Sequence, residues 1–296
     1  MKVLVTGATG YLGREIKEHY LALNHEVITI GRSHQNDIVV DLEDIKVEHL
    51  VTLVKGVDTI VHCAAINEVY INDSIDRTYS INVTLTRKLT ELASIANIRS
   101  FIYISTFHVY GVSSGLVTNE SEINPLNDYG LTHYLSEEII RTRSKQANFN
   151  YLIVRPTNIY GSPSSFDTFN RWTLVPFQFL RHALIDKKIT INSSGQQFRN
   201  FVSINEVIDC LDLIGKETVV NAYGNMELSI SDFARHIADA IGSYLNTSIE
   251  VERKGKLEPG DYQINVRNKN SKFTPRNGEF ERFIKKMLEE KEQWIK

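Results

Sequence analysis

Three glycines near the start of the chain, Gly7, Gly10 and Gly13, are separated from one another by two residues. They follow a short β-branched run, Lys2–Thr6, and overlap the start of a run with helical periodicity, Tyr11–Asn24. Glycine permits positive φ and a close approach of the backbone to a ligand, and the first N–H groups of a helix can bind a phosphate. The spacing and its context therefore predict a turn that holds the pyrophosphate of a dinucleotide. The alternative is a tight strand-to-helix turn that binds no ligand.

The end of the second predicted strand indicates which dinucleotide is bound. Sites for NAD usually have Asp or Glu there, whereas this sequence has Gly31, Arg32 and Ser33. A guanidinium and a hydroxyl can bind a 2′-phosphate, which a carboxylate would repel. The sequence therefore favours NADP, with NAD possible and a solvated Arg32 as the alternative. Asp41, followed by Leu42, comes after the third strand, where its carboxylate can accept from the adenine amino group or cap a helix.

The first half of the chain alternates strand-like and helical runs, and these elements must position the residues above. The strand-like runs are Lys2–Thr6, Glu26–Ile30, Ile38–Val40, Asp58–His62, Ser100–Ile104 and Tyr151–Arg155, and the helical runs are Tyr11–Asn24, Ser74–Asn97 and Asn127–Gln146. Short apolar strands separated by helices are typical of a parallel sheet with both faces covered. The predicted fold class is therefore α/β, a doubly wound parallel sheet of the Rossmann type with a small C-terminal α/β substrate lobe.

The pattern changes after Gly161, where a polar loop begins. Arg199–Ser203 is strand-like and Asn205–Leu213 is helical, so the chain is expected to return to the sheet there. We predict an NAD(P)-binding Rossmann domain over 1–161, with its sheet completed by about 199–215. The substrate-binding lobe is predicted over 162–198 and 216–296.

Composition and charge exclude several classes of function. The 296 residues include 33 Lys and Arg and 36 Asp and Glu, which gives a net charge of −3. This charge does not favour nucleic acid or an anionic membrane as a partner, and no apolar run reaches the roughly 18 to 20 residues of a membrane span. The 9 histidines show no metal-ligand spacing, so no metal is expected. The first residues are not apolar enough for a signal peptide, so the protein is expected to be cytoplasmic.

Further motifs follow in order along the chain. They are His62-Cys63-Ala64-Ala65, Asn82, Ser105-Thr106-Phe107-His108-Val109-Tyr110-Gly111, Tyr129-Gly130-Leu131-Thr132-His133, Arg155-Pro156-Thr157-Asn158-Ile159-Tyr160-Gly161, Arg199-Asn200-Phe201-Val202 and Asn221-Ala222-Tyr223-Gly224. Together with the glycine-rich turn and Asp41-Leu42, this series resembles the extended short-chain dehydrogenase/reductase family, from residue 1 to about 225. That family comprises nucleotide-sugar epimerases, dehydratases and ketoreductases. The resemblance implies a nucleotide-sugar substrate, and a homodimer formed through the two long helices.

The resemblance also implies a role for each matching residue. Thr106 would hold the reacting oxygen of the sugar, Tyr129 would be the acid/base, and Arg199 would contact the substrate diphosphate. With His133, Thr106 and Tyr129 are the expected catalytic residues. The expected cofactor-binding residues are Gly7, Thr9, Gly10, Tyr11, Leu12, Gly13, Arg32, Ser33, Asp41, Leu42, Ala64, Ala65, Tyr129, His133 and Pro156. The expected substrate-binding residues are Thr106, Phe107, His108, Asn158 and Arg199.

The acid/base motif departs from the family's Tyr-x-x-x-Lys, because His133 stands where the lysine would be. Moving a hydride to or from a carbinol carbon requires a proton to move at its oxygen, and a tyrosine with an ordinary pKa of about 10 must be activated for this. The family's lysine supplies the activating charge, whereas a histidine is mostly neutral at pH 7. Three hypotheses stay open: His133 substitutes for the lysine with slower chemistry, or the protein binds its ligands with little catalysis, or His133 is a variant in an otherwise active enzyme.

The two residues after Thr106 limit the reaction class further. Dehydratases of the family have an acidic pair at the positions of Phe107 and His108, so 4,6-dehydration is not expected. His108 is either a second acid/base for the sugar or a polar side chain at the pocket rim. The sequence therefore favours an NADP-dependent ketoreductase acting on a nucleotide sugar. A nucleotide-sugar 4-epimerase and a catalytically weak NAD(P)-binding regulatory or structural subunit are the alternatives.

Overall fold

The computed structural model describes residues 1–71, 73–260 and 262–295. Its strands are β1 Lys2–Thr6, β2 Glu26–Gly31, β3 Ile38–Val39, β4 Thr59–His62, β5 Ser100–Ile104, β6 Gly115–Val117, β7 Asn150–Pro156, β8 Asn158–Tyr160, β9 Lys188–Ile191, β10 Phe198–Ser203, β11 Val219–Ala222, β12 Met226–Ser229, β13 Glu250–Arg253 and β14 Ile264–Val266. Its α-helices are α1 Tyr11–Ala22, α2 Val47–Leu53, α3 Ile75–Tyr79, α4 Leu85–Ile95, α5 Asp128–Ala147, α6 Val175–Arg181, α7 Ile204–Asp209, α8 Ile230–Leu245 and α9 Glu279–Glu289. Short 3-10 helices cover Phe107–Tyr110, Cys210–Leu213 and Lys291–Gln293, and π-helical turns cover Ser80–Thr84 and His182–Asp186.

A parallel sheet of seven strands runs through the described chain in the order β11-β7-β5-β4-β1-β2-β3. Val3 and Val5 of β1 belong to one core cluster with Ile16 of α1, while Leu4 between them belongs to another with Leu89 of α4. Successive side chains of a strand point to opposite faces, so helices cover both faces of the sheet. This confirms the predicted doubly wound α/β fold.

The strand that completes the large sheet differs from the sequence prediction. The expected return of the chain to the sheet at about 199–215 is wrong, because β11, at Val219–Ala222, is the strand that pairs with β7. The predicted strand does form as β10, but it pairs with β8 and β12 in a separate three-stranded sheet. In β10 the adjacent polar residues Arg199 and Asn200 lie between Phe198 and Phe201. A strand buried on both faces of a parallel sheet is typically a near-continuous apolar run, which this polar pair interrupts.

The predicted long helix Ser74–Asn97 is interrupted by the π-helical turn Ser80–Thr84 between α3 and α4. Asn82, inside this turn, accepts a hydrogen bond from the backbone N–H of Ile66 at 2.6 Å and donates to the carbonyl of Ile66 at 3.2 Å. Its side chain also donates to Thr132 of α5 at 3.1 Å. Asn82 therefore holds the segment that follows β4 against two helices, which positions that segment beside the cleft described below.

The C-terminal half contributes a second apolar core, which α6, α8 and α9 share with β9 and β10. Aromatic side chains predominate in it, and Phe201 of β10 stacks on Phe233 of α8 with ring centroids 3.8 Å apart. Tyr11, at the start of α1, packs edge-on against Phe169 and Phe177 of this core. The glycine-rich turn is thereby joined to the second core. Among the described residues, no helix is both long enough and apolar enough to cross a membrane.

Candidate active site

A cleft of about 1340 Å³ opens where the carboxyl ends of β1, β4, β5 and β7 meet the loop before α6. In doubly wound sheets, ligands bind at this edge, where the order of the strands reverses. The predicted site residues that line the cleft are Gly7, Thr9, Gly10, Tyr11, Leu12, Gly13, Arg32, Ser33, Asp41, Leu42, Ala64, Ala65, Thr106, His108, Tyr129, His133, Pro156 and Asn158. Phe107 and Arg199 do not line it. The structure thus brings all the predicted catalytic residues and all the predicted cofactor residues to one surface.

The glycine-rich turn is packed too tightly for side chains. Gly7 has a φ of +72°, and a Cβ there would lie 2.7 Å from the backbone nitrogen of Ala64. A Cβ on Gly13 would lie 2.2 Å from the carbonyl oxygen of Gly7. The helix α1 therefore starts directly against the end of β1. No side chain caps its N terminus at Gly10, so its first N–H groups remain available to an anionic ligand.

The end of β2 presents a cation to the cleft and no carboxylate of its own. Arg32 is exposed and forms no ion pair with any residue in the described ranges. The nearby carboxylate of Asp37 is turned to Thr29, from which it accepts both the backbone N–H and the hydroxyl at 2.8 Å. Those hydrogen bonds, and the charge of Lys17, hold the pKa of Asp37 below its usual range against the opposing effect of burial. Asp41 does line the cleft, and one of its oxygens accepts the backbone N–H of Glu43 at 3.0 Å.

A buried histidine fixes the strand end beside the glycine-rich turn. Nδ1 of His62 lies 2.8 Å from the hydroxyl of Thr6, and its Nε2 lies 3.0 Å from the hydroxyl of Thr86. Burial, and secondarily the proximity of His133, lowers the pKa of His62 to about 3, so its ring is neutral at pH 7. The Thr6 hydroxyl also accepts the backbone N–H of Ala64 at 3.3 Å. This neutral network holds Ala64 where Gly7 packs against it.

Two hydroxyl groups converge at the centre of the cleft. Thr106 follows β5, is buried, and accepts the backbone N–H of His108 at 3.2 Å, which caps the 3-10 turn. Tyr129 lies in the first turn of α5, whose N-cap Asn127 accepts the backbone N–H of Gly130 at 3.0 Å. Burial and the charge of Glu68 raise the pKa of Tyr129 to about 12, although the nearby Thr106 side chain acts in the opposite direction. Tyr129 is therefore a protonated phenol at neutral pH.

His133 lies one helical turn after Tyr129, with the two ring centroids 4.8 Å apart. Its Nδ1 is 2.7 Å from the phenol oxygen of Tyr103 on β5. Its Nε2 is buried and has no hydrogen-bond partner among the described residues. Burial lowers the pKa of His133 to about 4, although the carboxylate of Glu137 acts in the opposite direction. The side chain is thus a neutral imidazole with one unsatisfied nitrogen in the wall of the cleft.

Comparison with known proteins supports the geometric description. The model of the NAD dependent epimerase/dehydratase family matches residues 3–225. The chain belongs to this family. A putative UDP-glucose 4-epimerase of Methanocaldococcus jannaschii is 26% identical over 272 residues, covering 86% of this chain and 87% of the relative. A dTDP-4-dehydro-6-deoxy-D-allose reductase of a Streptomyces species is also 26% identical, covering 81% of each chain. The solved structure of MoeE5 with UDP-glucose and NAD has the same fold, with a TM-score of 0.82, 19% identity and full coverage of both chains.

Two substrate residues that the family resemblance implied lie outside the cleft lining. Phe107 packs against the core of the large sheet, with its ring centroid 5.2 Å from that of Tyr110. The 3-10 turn directs Phe107 to the core and His108 to the cleft, so adjacent residues have different surroundings. Arg199 is half-buried, and its guanidinium donates to the carbonyl of Phe198 at 3.0 Å. Burial lowers the pKa of Arg199. The positive charge of Arg199 in turn contributes to lowering the pKa of His108.

Asn158 lines the cleft as expected of a substrate residue in the family. Its side chain donates to the carbonyl of Asn200 at 2.9 Å, so β10 helps to hold it in place. Pro156, at the end of β7, lines the same wall.

Family motifs did not reveal an ion pair at the cleft. Arg171, in the loop before α6, donates to the carboxylate of Glu68, in the loop after β4, at 2.7 Å. Both residues line the cleft, and the charges of both influence the pKa of Tyr129. Neither loop has a periodic pattern, and the two residues are distant in the sequence. The sequence shows only that Glu68 and Arg171 are charged residues in loop segments, and it does not indicate that they pair.

Proposed function

We propose that this protein is an NADP-dependent oxidoreductase that reduces a keto carbon of a nucleotide-activated sugar. The observation that carries the proposal is that Thr106 and Tyr129 line the same cleft, with Tyr129 packed beside His133, whose Nε2 is unsatisfied. Thr106 fixes the oxygen of the reacting carbon, and Tyr129 exchanges a proton with it.

The protonation state of Tyr129 favours the reductive direction. With a pKa of about 12, the phenol is ready to donate a proton to an oxygen that gains negative charge. It is a poor base for removing a proton from a sugar hydroxyl. A lysine at position 133 would favour the phenolate through its positive charge, but the neutral His133 does not. The site is therefore better suited to protonating a reduced ketone than to starting an oxidation.

The residues of the cleft fit a nicotinamide dinucleotide. The close packing of Gly7 and Gly13 leaves room for a pyrophosphate next to the first N–H groups of α1. The unsatisfied Nε2 of His133 is suited to a hydroxyl of the nicotinamide ribose, and Arg32 is suited to a 2′-phosphate. When bound, the dinucleotide supplies the hydride that the protein residues lack.

A nucleotide sugar suits the remainder of the cleft. Beyond Tyr129, the cleft continues to the loop before α6, where Arg171 lies, and Arg199 lies near His108. Cations there would neutralise the diphosphate of such a substrate. The names of the relatives support the same substrate class, since they include a dTDP-sugar reductase and a putative UDP-glucose 4-epimerase. We further propose that the protein is a homodimer.

A nucleotide-sugar 4-epimerase is the second candidate. It is favoured by the epimerase among the relatives and by the NAD in the MoeE5 complex, which has the same fold. An epimerase must first oxidise its substrate, so it would need Tyr129 to act as a base. A protein that binds both ligands with little catalysis is the third candidate, because His133 carries no charge to activate Tyr129.

The three candidates differ in measurable ways. The purified protein is titrated with NADPH and NADH, and then incubated with nucleotide 4-ketohexoses while NADPH absorbance is followed. In parallel, it is incubated with NAD and UDP-glucose, and UDP-galactose is measured. The proposal expects tighter binding of NADPH and its oxidation by a keto sugar. Tight NADH binding without NADPH binding would refute the cofactor assignment, and interconversion of the UDP-sugars without ketone reduction would favour the epimerase.

A further inference from the structure

An ion pair joins two sides of the cleft, the edge of the large sheet and the loop before α6. Arg171, in that loop, donates to the carboxylate of Glu68, in the loop after β4, at 2.7 Å. Both side chains line the cleft. A ligand that extends from Tyr129 to the loop before α6 therefore meets this pair.

Aromatic packing holds the loop that carries Arg171. Trp172, the next residue, packs edge-on against Phe169 with ring centroids 4.8 Å apart, and its ring centroid lies 5.4 Å from that of Trp294. The guanidinium of Arg181 in α6 lies over the Trp172 ring, 5.1 Å from its centroid. The Arg171 side chain is only 17% exposed. Arg171 is thus a largely enclosed cation on a firmly held backbone.

Glu68 is the less constrained partner of the ion pair. Its side chain is 39% exposed, and the next two residues, Val69 and Tyr70, are exposed as well. Its carboxylate forms no other hydrogen bond or ion pair with the described part of the chain. When the pair separates, the carboxylate can turn to solvent, whereas Arg171 stays in the wall of the cleft.

A diphosphate can take the place of the carboxylate on Arg171. A guanidinium has five N–H donors in a fixed fork, which fits phosphate oxygens as well as carboxylate oxygens. The side chain of Arg171 forms one hydrogen bond, that to Glu68, within the residues that the structure describes. A diphosphate can accept from two N–H groups together and carries more negative charge than one carboxylate. It also repels the carboxylate, so the two anions compete for the same cation.

We propose that Glu68 holds Arg171 in the free protein and that the diphosphate of the substrate replaces Glu68 there when it binds. Glu68 thereby sets the affinity for the substrate, because binding must first separate the ion pair. The proposal rests on the proposed function in one respect, since it takes a nucleotide sugar as the ligand of this part of the cleft. It adds a residue that acts against binding, whereas Arg171 acts in favour of it.

The test measures the binding of UDP and dTDP by calorimetry. An excess of NAD and NADP is present, so that the nucleotides cannot occupy the dinucleotide end of the cleft. Glu68→Gln keeps the shape of the side chain and removes its charge. We expect this variant to bind the nucleoside diphosphates about fivefold more tightly than wild type, a change on the scale of a partly exposed ion pair. Uridine and thymidine lack the diphosphate, so their binding should be unchanged.

A double-mutant cycle assigns the effect to the ion pair. Arg171→Gln should weaken the binding of the nucleoside diphosphates. In that background, Glu68→Gln should have little effect, because the cation for which the two anions compete is gone. Glu43→Gln is the matched control, since it removes the same charge from the ion pair of Glu43 with Arg77 of α3, whose atoms are 3.4 Å apart. It should bind UDP and dTDP as wild type does.

Unchanged or weaker binding of both nucleoside diphosphates by Glu68→Gln would overturn the proposal. Weaker binding would show that Glu68 orients Arg171 for the ligand. An equal gain in the wild-type and Arg171→Gln backgrounds would also overturn it. If wild-type protein binds neither nucleoside diphosphate, the proposal and the nucleotide-sugar substrate class are both refuted.

Oxidation of NADPH by a nucleotide 4-ketohexose is measured separately. Glu68→Gln should lower the KM for the sugar and leave kcat nearly unchanged, because the carboxylate has already left Arg171 in the wild-type complex. The expected UDP and dTDP results without NADPH oxidation would support the exchange at Arg171 and refute only the proposed reduction.

Discussion

The phenol oxygen of Tyr103 lies 2.7 Å from Nδ1 of His133, in the buried space between β5 and α5. An imidazole nitrogen is a better acceptor than a phenol oxygen, so we infer that Tyr103 donates to Nδ1. The proton of the neutral ring is then on Nε2, the nitrogen that lacks a partner in the wall of the cleft. Tyr103 thereby makes His133 a hydrogen-bond donor towards a bound ligand. It is a positioning residue, because it acts through His133.

Replacing Tyr103 by Phe should weaken dinucleotide binding by about tenfold, equivalent to about 1.4 kcal/mol. Without the phenol, Nδ1 is buried without a partner and the ring can place its proton on either nitrogen. Titration with NADPH measures the affinity, and nitrogen-15 NMR of labelled histidine reports the tautomer. Tyr151→Phe is the control, since Tyr151 lies on β7 outside the cleft lining. An unchanged tautomer together with unchanged affinity would contradict the assigned role.

Replacing His133 by Lys should increase the rate of hydride transfer. An ammonium group near Tyr129 should lower the pKa of the phenol by about 1 to 3 units from about 12. The phenol then stays protonated at neutral pH but is a stronger acid, so it donates its proton to the reduced ketone more readily. The pH profile of single-turnover NADPH oxidation should shift in the acid direction by a similar amount. The variant should also be less stable, because the lysine replaces a neutral buried side chain. His49→Lys is the control for added surface charge, and a rate and profile like those of wild type in His133→Lys would contradict the prediction.

The catalytic and cofactor residues that short sequence motifs predict all line one cleft, because the spacing of those motifs reflects local geometry. The glycine-rich turn and the first turn of α5 each place their residues within one element. Tyr103 was not predicted, because it lies on β5 and contacts the site through His133 of α5, which is distant in the sequence. The Glu68–Arg171 ion pair gave no such signal, because it depends on how two irregular loops fold over the cleft.

In the fold, too, the elements set by a local sequence pattern were predicted, and the one set by long-range pairing was not. The strands β1 to β5 and β7 of the large sheet were predicted to within about two residues, because each is a short, largely apolar run. The seventh strand was not, since Val219–Ala222 contains only two β-branched residues before a polar Asn221. Its place is set by pairing with β7, and the Asn221 side chain is used to accept from Tyr110 at 2.7 Å. Such long-range pairing is not visible in a local pattern.

Replacing Arg32 by Ala should weaken NADPH binding by about tenfold or more, equivalent to about 1.4 kcal/mol or more. The guanidinium is exposed at the end of β2, where a 2′-phosphate would be held by charge-assisted hydrogen bonds. NADH lacks this phosphate, so its affinity should be nearly unchanged. Calorimetric titration of both dinucleotides gives the comparison. Arg253→Ala, at an exposed arginine of β13, is the control, and an equal loss of affinity for both dinucleotides would contradict the NADP assignment.

The free energy of unfolding should decrease as the pH falls from about 6.5 towards 4. The buried rings of His62 and His133 have pKa values of about 3 and about 4 in the folded protein, whereas an unfolded histidine has a pKa of about 6.5. Below pH 6.5 the unfolded chain binds protons that the folded chain does not, which favours unfolding. Each histidine should contribute a slope of up to about 1.4 kcal/mol per pH unit across this window.

Urea denaturation at pH 7, 6 and 5 measures this dependence. His133→Gln should lose about half of the slope assigned to the two histidines, because glutamine does not titrate and can still bond to Tyr103. His62→Gln should lose a similar part, whereas His49→Gln, at an exposed position, should retain the wild-type slope. A free energy of unfolding that does not change between pH 7 and 5 would show that these two rings are not held neutral. The neutral state of His133, on which the assignment of a single tautomer depends, would then have to be abandoned.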